Sequence, residues 1–386
     1  MIKTYKYKLY KTKRLKHLHR LINISADIYN HGVALHKRYY RLYHKSLNKF
    51  VLQKHITKLK KLSRFNYWNE LGSQAIQEIT ERIDNGYRKF FRHENKRPPT
   101  FKKKKKYKSF ALKGSVGYKI NSNILTINNV HYKLWLSRNI EGDIKTLTVK
   151  RDSLGDIYIL ITLENYVNLV HTTSGKNVGM DFGLKTFLTM YDGSVIDKKY
   201  SPLYFLASLN LIRKRSRELS GKKKGSNHLL QAVLNLARLH RKIYNQRLDF
   251  FFKLSIALSV YDNVFIEDLN LKGMQMLWGR KVSDVAYNSF INILSSKTNV
   301  VKIGRFYPSS KICCECGYIK QDLKLSDRVW ICPSCHAVHE RDENASKTVY
   351  AEGMRILIRV GTSTLGVGSV RPVHQASAVD TGIPCL

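Results

Sequence analysis

Four cysteines stand in two matched pairs. Cys313 and Cys316, then Cys332 and Cys335, form CxxC knuckles separated by 15 residues, the spacing at which four thiolates close a tetrahedral zinc site. Gly317 follows the first knuckle and Pro333 lies inside the second, so each pair can sit on a tight turn. His336 and His339 are the alternative ligands to Cys335, and Cys314 is expected to point away from the metal. A redox CxxC occurs singly in a βαβ setting, so the matched pair argues for a structural metal, one that contributes on the order of 10 kcal/mol to its local fold.

Acids are scarce, 28 Asp plus Glu against 68 Lys plus Arg, so an acid at the end of an apolar strand needs a reason. Asp181 closes Val178-Gly179-Met180, Glu267 closes Val264-Phe265-Ile266, and Asp342 lies in RDENAS at 341–346, where it reads as a helix N-cap. Taken singly they are a turn aspartate, a strand-end glutamate beside Asp268 and a cap. Together, carboxylates from two strands and a helix start can hold two divalent ions about 4 Å apart for in-line phosphodiester hydrolysis. An RNase H-like domain has this order, with the first Asp on its first strand and the second acid on its fourth, after an intervening helix.

The elements around these residues follow from periodicity. Residues 2–10 alternate as a strand, and Leu18, Ile22, Ala26, Tyr29 and Val33 mark an amphipathic helix from Leu15. Ala75, Ile79, Ile83, Tyr87 and Phe90 mark a second, broken by Arg97-Pro98-Pro99 and the run Lys102, Lys103, Lys104, Lys105 and Lys106. Beyond Lys108 the period becomes two, with strands at 124–127, 132–136, 145–149 and 157–163. These suggest a small β-barrel that the amino-terminal strand could complete, with the helical region inserted in it. Next come a strand at Val178 and Met180, a hairpin from Phe187 to Tyr191 turning at Asp192-Gly193, and a basic loop from Arg213 to Lys224. A long helix through Leu229, Val233, Leu236, Leu239 and Ile243 leads to a buried strand at 264–266. From Gly361 the chain is nearly uncharged and reads as a flexible tail.

Composition bounds the function. At 386 residues, 43% hydrophobic, the chain has enough material for real cores, and a net charge of +40 calls for a polyanionic partner, with nucleic acid well ahead of a membrane surface. Lys3, Lys6 and Lys8, interleaved with tyrosines, and the lysines at 102–106 are the candidate nucleic-acid contacts. No apolar signal segment opens the chain and no stretch is long enough to span a bilayer, so a cytoplasmic, nucleoid-associated protein is expected. His17 and His19 match the His-hydrophobic-His signature of single-strand transposases, but that signature needs a strand and these lie in a helical pattern.

Four blocks resemble TnpB, the transposon-encoded RNA-guided DNA nucleases similar to compact type V CRISPR effectors. VGMDFGLKTFLT (178–189) is similar to the family's first RuvC motif and VFIEDLNLKGM (264–274) to its second. RFYPSSKICCECG (305–317) followed by WICPSCHAVHERDENAS (330–346) is similar to its zinc ribbon running into the third. Weaker matches are LGSQAIQEI (71–79), PTFKKK (99–104) and LWGRKVSD (277–284). The chain departs from the pattern in a shorter stretch between Phe290 and Val300, and in Gly304 where Asp is frequent. The resemblance implies catalytic Asp181, Glu267 and Asp342 with Mg²⁺ or Mn²⁺, and structural Zn²⁺ on the four cysteines. It also implies a guide RNA from the transposon end and double-stranded target DNA as partners, and no membrane. The implied architecture is multidomain α/β plus β-barrel: a barrel at 1–10 and 108–175, a basic helical region at 11–107, and a RuvC-like nuclease domain at 176–360 with a zinc ribbon at 308–340, then the tail at 361–386. A nuclease-silent guide-binding regulator and a strand-transfer transposase or recombinase are the alternatives.

Overall fold

The computed structural model describes residues 2–114, 116–164, 174–183, 186–197, 204–270, 273–274, 276, 286–324 and 326–363. The chain divides into two compact units, Met1–Val170 and His171–Leu386.

The first unit opens with β1 (Lys3–Leu9), whose alternation buries Tyr5, Tyr7 and Leu9. Helix α1 (Leu15–Tyr43) buries each of the five apolar positions that predict it, and ends at His44, which adopts φ 51° and returns its N–H to Tyr40 O. Then come α2 (Lys49–Leu59), N-capped by the Asn48 side chain, a 3₁₀ segment (Ser63–Glu70) that buries Trp68, and α3 (Ser73–Phe91). Gly32 lets α1 approach α3, since a Cβ there would lie 2.7 Å from Ile83 Cδ1. Six strands complete the unit: β2 (Ser109–Lys113), β3 (Tyr118–Asn121), β4 (Ile124–Ile127), β5 (Val130–Trp135), β6 (Asp143–Arg151) and β7 (Ile157–Glu164). The sheet runs β2-β6-β7-β1-β5-β4-β3, a nearly closed, barrel-like antiparallel sheet. As the alternation suggested, β1 completes it, pairing with β7 from Lys3↔Leu163 to Lys8↔Tyr158 and with β5 at Lys8↔Trp135. Helices and sheet share one continuous apolar core.

The second unit is built on β8 (Asn177–Asp181), β9 (Thr186–Met190), β10 (Val195–Asp197), β11 (Asn263–Glu267) and β12 (Asn299–Ile303), in the order β10-β9-β8-β11-β12. β11 runs parallel to β8 and to β12, while β9 is antiparallel to β8 and to β10. An amide ladder ties the starts of the parallel strands: Asn263 Nδ2 donates to Asn177 Oδ1 and Asn299 Nδ2 to Asn263 Oδ1, both at 2.7 Å. Helices α4 (Tyr204–Ser220) and α5 (Asn227–Ala257) join β10 to β11, and α6 (Tyr287–Leu294) precedes β12. The expected basic loop from Arg213 to Lys224 is therefore mostly helix. Arg213, Lys214, Arg215 and Arg217 lie on α4, while Lys222, Lys223 and Lys224 lie in the turn proper, residues 221–226, with Ser226 capping α5.

The chain ends in a short hairpin, β13 (Val329–Ile331) with β14 (Val338–Glu340), running directly into α7 (Arg341–Ser363). Asp342 consequently sits in the first turn of α7 and is not its cap. The helix extends past Gly361 to Ser363, so these first residues of the expected tail are helical, and residues 364–386, like the motif at 277–284, lie outside the described residues. Two glycines let α7 lie on the sheet. A Cβ at Gly179 of β8 would meet Ser346 O and come within 2.6 Å of Tyr350 N, and one at Gly353 would strike the Phe265 ring of β11.

Candidate functional site

The second unit carries two clusters, one of carboxylates and one of thiols. Asp181 and Glu267 each lie one residue past the last paired position, Met180↔Ile266, at the carboxyl ends of neighbouring parallel strands. Strand ends of an open sheet are where a crevice forms. Helix α7, held against β8 by the close approach at Gly179, brings Asp342 to them in its first turn.

Electrostatics report how near these groups are. Burial raises the Asp181 carboxyl to about 7, and the negative charges of Glu267 and Asp342 push in the same direction, against the Phe182 amide and Arg341. Burial also raises Glu267, opposed by the Ser309 hydroxyl, which donates to Glu267 Oε1. Asp342 is ion-paired with Arg328 at 3.3 Å. Mutual repulsion of half-buried carboxylates is relieved by a cation between them, and an all-oxygen donor set suits a hard divalent ion. Tyr287 closes one side: burial raises its phenol, the Asp181 charge adds to this, and its OH donates to Gly183 O at 2.6 Å.

A pH dependence follows from Asp181. In buffer without magnesium the folded chain retains a proton that the unfolded chain gives up at about pH 4. The cost of this group is therefore absent below about pH 4 and grows until pH passes about 7. Asp181→Asn is expected to raise the thermal midpoint at pH 8 by several degrees and to leave it unchanged at pH 4. Identical melting of the two proteins at both pH values would refute this reading of the cluster.

The thiols of Cys313, Cys316, Cys332 and Cys335 all lie within 4.8 Å of one another, with Cys313 Sγ to Cys335 Sγ at 3.6 Å and Cys316 Sγ to Cys332 Sγ at 3.5 Å. A tetrahedron with Zn–S bonds of about 2.3 Å has edges of about 3.8 Å, so the four sulfurs already stand at zinc spacing. Burial pushes the Cys332 thiol up, but the backbone N–H groups of Cys335 and Ser334 and the neighbouring thiols bring it down to about 6.

The two knuckles repeat one geometry. Gly317 N donates to Cys313 O at 2.9 Å and His336 N to Cys332 O at 3.0 Å, while Cys313 N and Cys332 N donate to the carbonyls of Tyr318 and Ala337. Gly317 and His336 both have positive φ, 76° and 59°. His336 is thus the turn residue of the second knuckle and lies outside the thiol cluster. His339 does not replace Cys335 either: it is buried beside Trp330 with Nε2 3.0 Å from Cys313 Sγ, a place from which it can orient that sulfur. Cys314 stands outside the cluster as read, its thiol raised to about 11 by burial and the Glu315 charge.

Sequence reasoning missed the residues that join these parts. Ser309 ties Glu267 to α7, because Ser309 O accepts from Thr348 Oγ1 at 2.8 Å. Asn344, two residues past Asp342, accepts from Cys314 N at 3.0 Å and donates to Ile312 O at 2.6 Å, bolting the first knuckle to the same helix. Polar residues facing inward leave no mark in hydrophobic periodicity, so only the proximity of Ser309 and Asn344 to the motifs could have singled them out.

In the first unit the candidate nucleic-acid lysines fall into two groups. Lys8 is paired with buried Asp156 at 2.9 Å, Lys104 with Asp27 at 2.8 Å, and Lys6 lies over the Tyr158 ring at 4.2 Å. Lys3 and Lys102 lie over tyrosine rings, of Tyr5 and of Tyr29. Lys103, Lys105 and Lys106 are exposed around a short 3₁₀ turn. His17 and His19 are in α1, and His17 Nδ1 is 2.7 Å from Tyr132 OH, so no strand presents them as a ligand pair.

Residues 160–277 match the family model "Probable transposase" (OrfB_IS605), and residues 287–349 match the "Cas12f1-like, TNB domain" model. A Streptomyces pristinaespiralis protein named "Putative RNA-guided DNA endonuclease" is 28% identical over 97% of this chain and 93% of its own. The Escherichia coli K12 protein "Putative RNA-guided DNA endonuclease InsQ" is 25% identical over 81% of this chain and 84% of its own. "TnpB-like protein L79" of Acanthamoeba polyphaga mimivirus is 27% identical over 55% of this chain and 44% of its own. Among solved structures, a Cas12f1-sgRNA-target DNA complex matches in fold with a TM-score of 0.56 at 11% identity, covering 91% of this chain and 98% of that one. The mini-RNA-guided endonuclease Cas_phi3 matches with a TM-score of 0.52 at 10% identity, covering 91% and 92%. Two family models in series, a relative aligned over nearly the whole chain and TnpB-like relatives aligned over about half of it bear out the resemblance of this chain to the TnpB family.

Proposed function

We propose that this protein is a transposon-encoded, RNA-guided DNA endonuclease that cuts target DNA beside a short flanking motif. The observation that carries the reading is the convergence of Asp181, Glu267 and Asp342, with Asp181 lifted to about 7 by burial and by its two acidic neighbours. The strand order β10-β9-β8-β11-β12, with acids at the ends of β8 and β11, the first and fourth of these strands along the chain, supports an RNase H-like, RuvC-type domain over residues 176–360. The paired knuckles support a zinc ribbon at 308–340.

In this reading the three acids hold Mg²⁺ or Mn²⁺ and the four cysteines hold Zn²⁺. Divalent ions, when held there, would supply an activated water and offset the charge on the phosphate and on the leaving 3′ oxygen. The protein's own part is positional: Ser309 fixes the Glu267 carboxylate, α7 carries Asp342, and Tyr287, bonded to Gly183 O, lies near enough to Asp181 to feel its charge. The first unit, with its barrel-like sheet of β1 to β7 and its helices α1 to α3, holds RNA and the A-form heteroduplex through lysine contacts to the backbone. Sequence choice lies in the RNA, because base pairing to a guide needs no residue code in the protein.

The test is ribonuclease. Protein purified with its RNA should cut one defined DNA site, and digestion of the RNA should abolish that choice. RNA-free protein that cuts a defined site with undiminished specificity would overturn the guided reading in favour of a transposase.

A further inference from the structure

The outer face of the barrel-like sheet carries an exposed aromatic pair that the nuclease reading does not use. Tyr10 and Trp135 stack with ring centroids 5.4 Å apart and planes 14° from parallel, yet Trp135 is 60% exposed and Tyr10 41%. Their backbone is rigid: Tyr10 N donates to Lys133 O at 3.0 Å, extending the β1–β5 ladder, and Trp135 pairs in register with Lys8. An indole left this open on a sheet face costs solvation without adding to the core.

Its rim is cationic. Lys133 Nζ lies 5.4 Å from the Tyr10 ring centroid, and Lys8 and Lys11 approach the single carboxylate of Asp156 at 2.9 and 3.4 Å, leaving positive charge in excess. A flat π-face between ammonium groups is the chemistry that binds a base by stacking and its phosphate by charge. A base inside a duplex has both faces covered by its neighbours, so only an unpaired base can use such a face.

We infer that the Tyr10–Trp135 stack, flanked by Lys133, is a platform for an unpaired nucleobase of the bound RNA. This rests on the RNA-binding half of the proposed function and not on the acid cluster. The platform holds one base in sequence-tolerant fashion and so fixes a bulge or junction of the RNA against the barrel.

The full-length chain is titrated with single-stranded oligouridylate, and binding and acrylamide quenching of tryptophan fluorescence are both followed. Of the four tryptophans, Trp68 and Trp330 are buried and Trp278 lies outside the described residues, and because Trp135→Phe keeps all three, its difference from wild type isolates the Trp135 indole. RNA should shield Trp135 from acrylamide, and Trp135→Leu should weaken binding roughly tenfold, with Trp135→Phe retaining most of it. Lys133→Gln should weaken binding less and flatten its salt dependence. Unchanged affinity of a folded Trp135→Leu chain, shielding of Trp135 by self-association without RNA, or equal shielding by fully paired RNA would each overturn the inference. Tighter binding and fuller shielding by single-stranded DNA of equal length would overturn the assignment to RNA. The readout involves no cleavage, so its failure leaves the nuclease reading intact, and a failure of cleavage leaves the platform intact.

Discussion

Alanine at Asp181, Glu267 or Asp342 is expected to lower guided DNA cleavage by several orders of magnitude while changing nucleic-acid affinity by less than about threefold. The asymmetry follows from where the charges are. Affinity comes from a +40 chain, whereas the three acids are half-buried and already strained by one another. Removing one leaves too few oxygens for a pair of divalent ions. Asp342→Ala also frees Arg328 from its ion pair, so binding of that variant should rise slightly if it changes at all. Cleavage and gel-shift assays on the same preparations separate the two effects, and substantial cutting by any one variant removes that residue from the site.

The second large effect is expected at the thiols. Reduced, active protein should contain one zinc per chain, and Cys332→Ser should lose it together with stability and cleavage. A structural zinc contributes on the order of 10 kcal/mol to such a small hairpin, which has little core of its own beyond Leu323 and Trp330. The loss should reach the acids because Asn344 bonds to Cys314 N and Ile312 O, so the first knuckle and the first turns of α7 move together. Cys314→Ser is the control: its thiol lies outside the four-sulfur cluster, 3.6 and 3.8 Å from Glu315 and His339, and the variant should behave as wild type. Metal analysis that finds no zinc in active protein would end the ribbon assignment.

Much of this was legible because it follows from periodicity. The strand at 124–127 was read to the residue, and β1, β5, β6 and β7 within two, since alternating burial is written directly into the sequence. Helix α2 escaped because it buries only Leu52 and Ile56, too few positions to establish a period. The Arg213–Ser220 half of α4 was mistaken for a loop because dense basic charge looks like solvated coil, although Lys and Arg are good helix formers. Asp342 was read as a cap because Asp before a helical pattern usually is one. Here β14 turns into α7 without a linker, so the carboxylate is free to face the strand ends. The acids themselves stood out for an energetic reason, since a chain so poor in acids does not end buried strands with them by accident.

The distances along the chain that the second unit must close set an order on its assembly. The amide ladder joins residues 86 apart, and Ser346 on α7 donates to Met190 O across 156. Synthesis at about 5–20 residues per second separates the emergence of Asp181 from that of Asp342 by on the order of ten seconds. Throughout that interval the whole first unit, to which the proposed function assigns RNA binding, is already synthesised. Under the proposed function a nascent chain is therefore a binder before it can be a cutter, and by the time the last helix docks and the third acid arrives, the guide can already be in place.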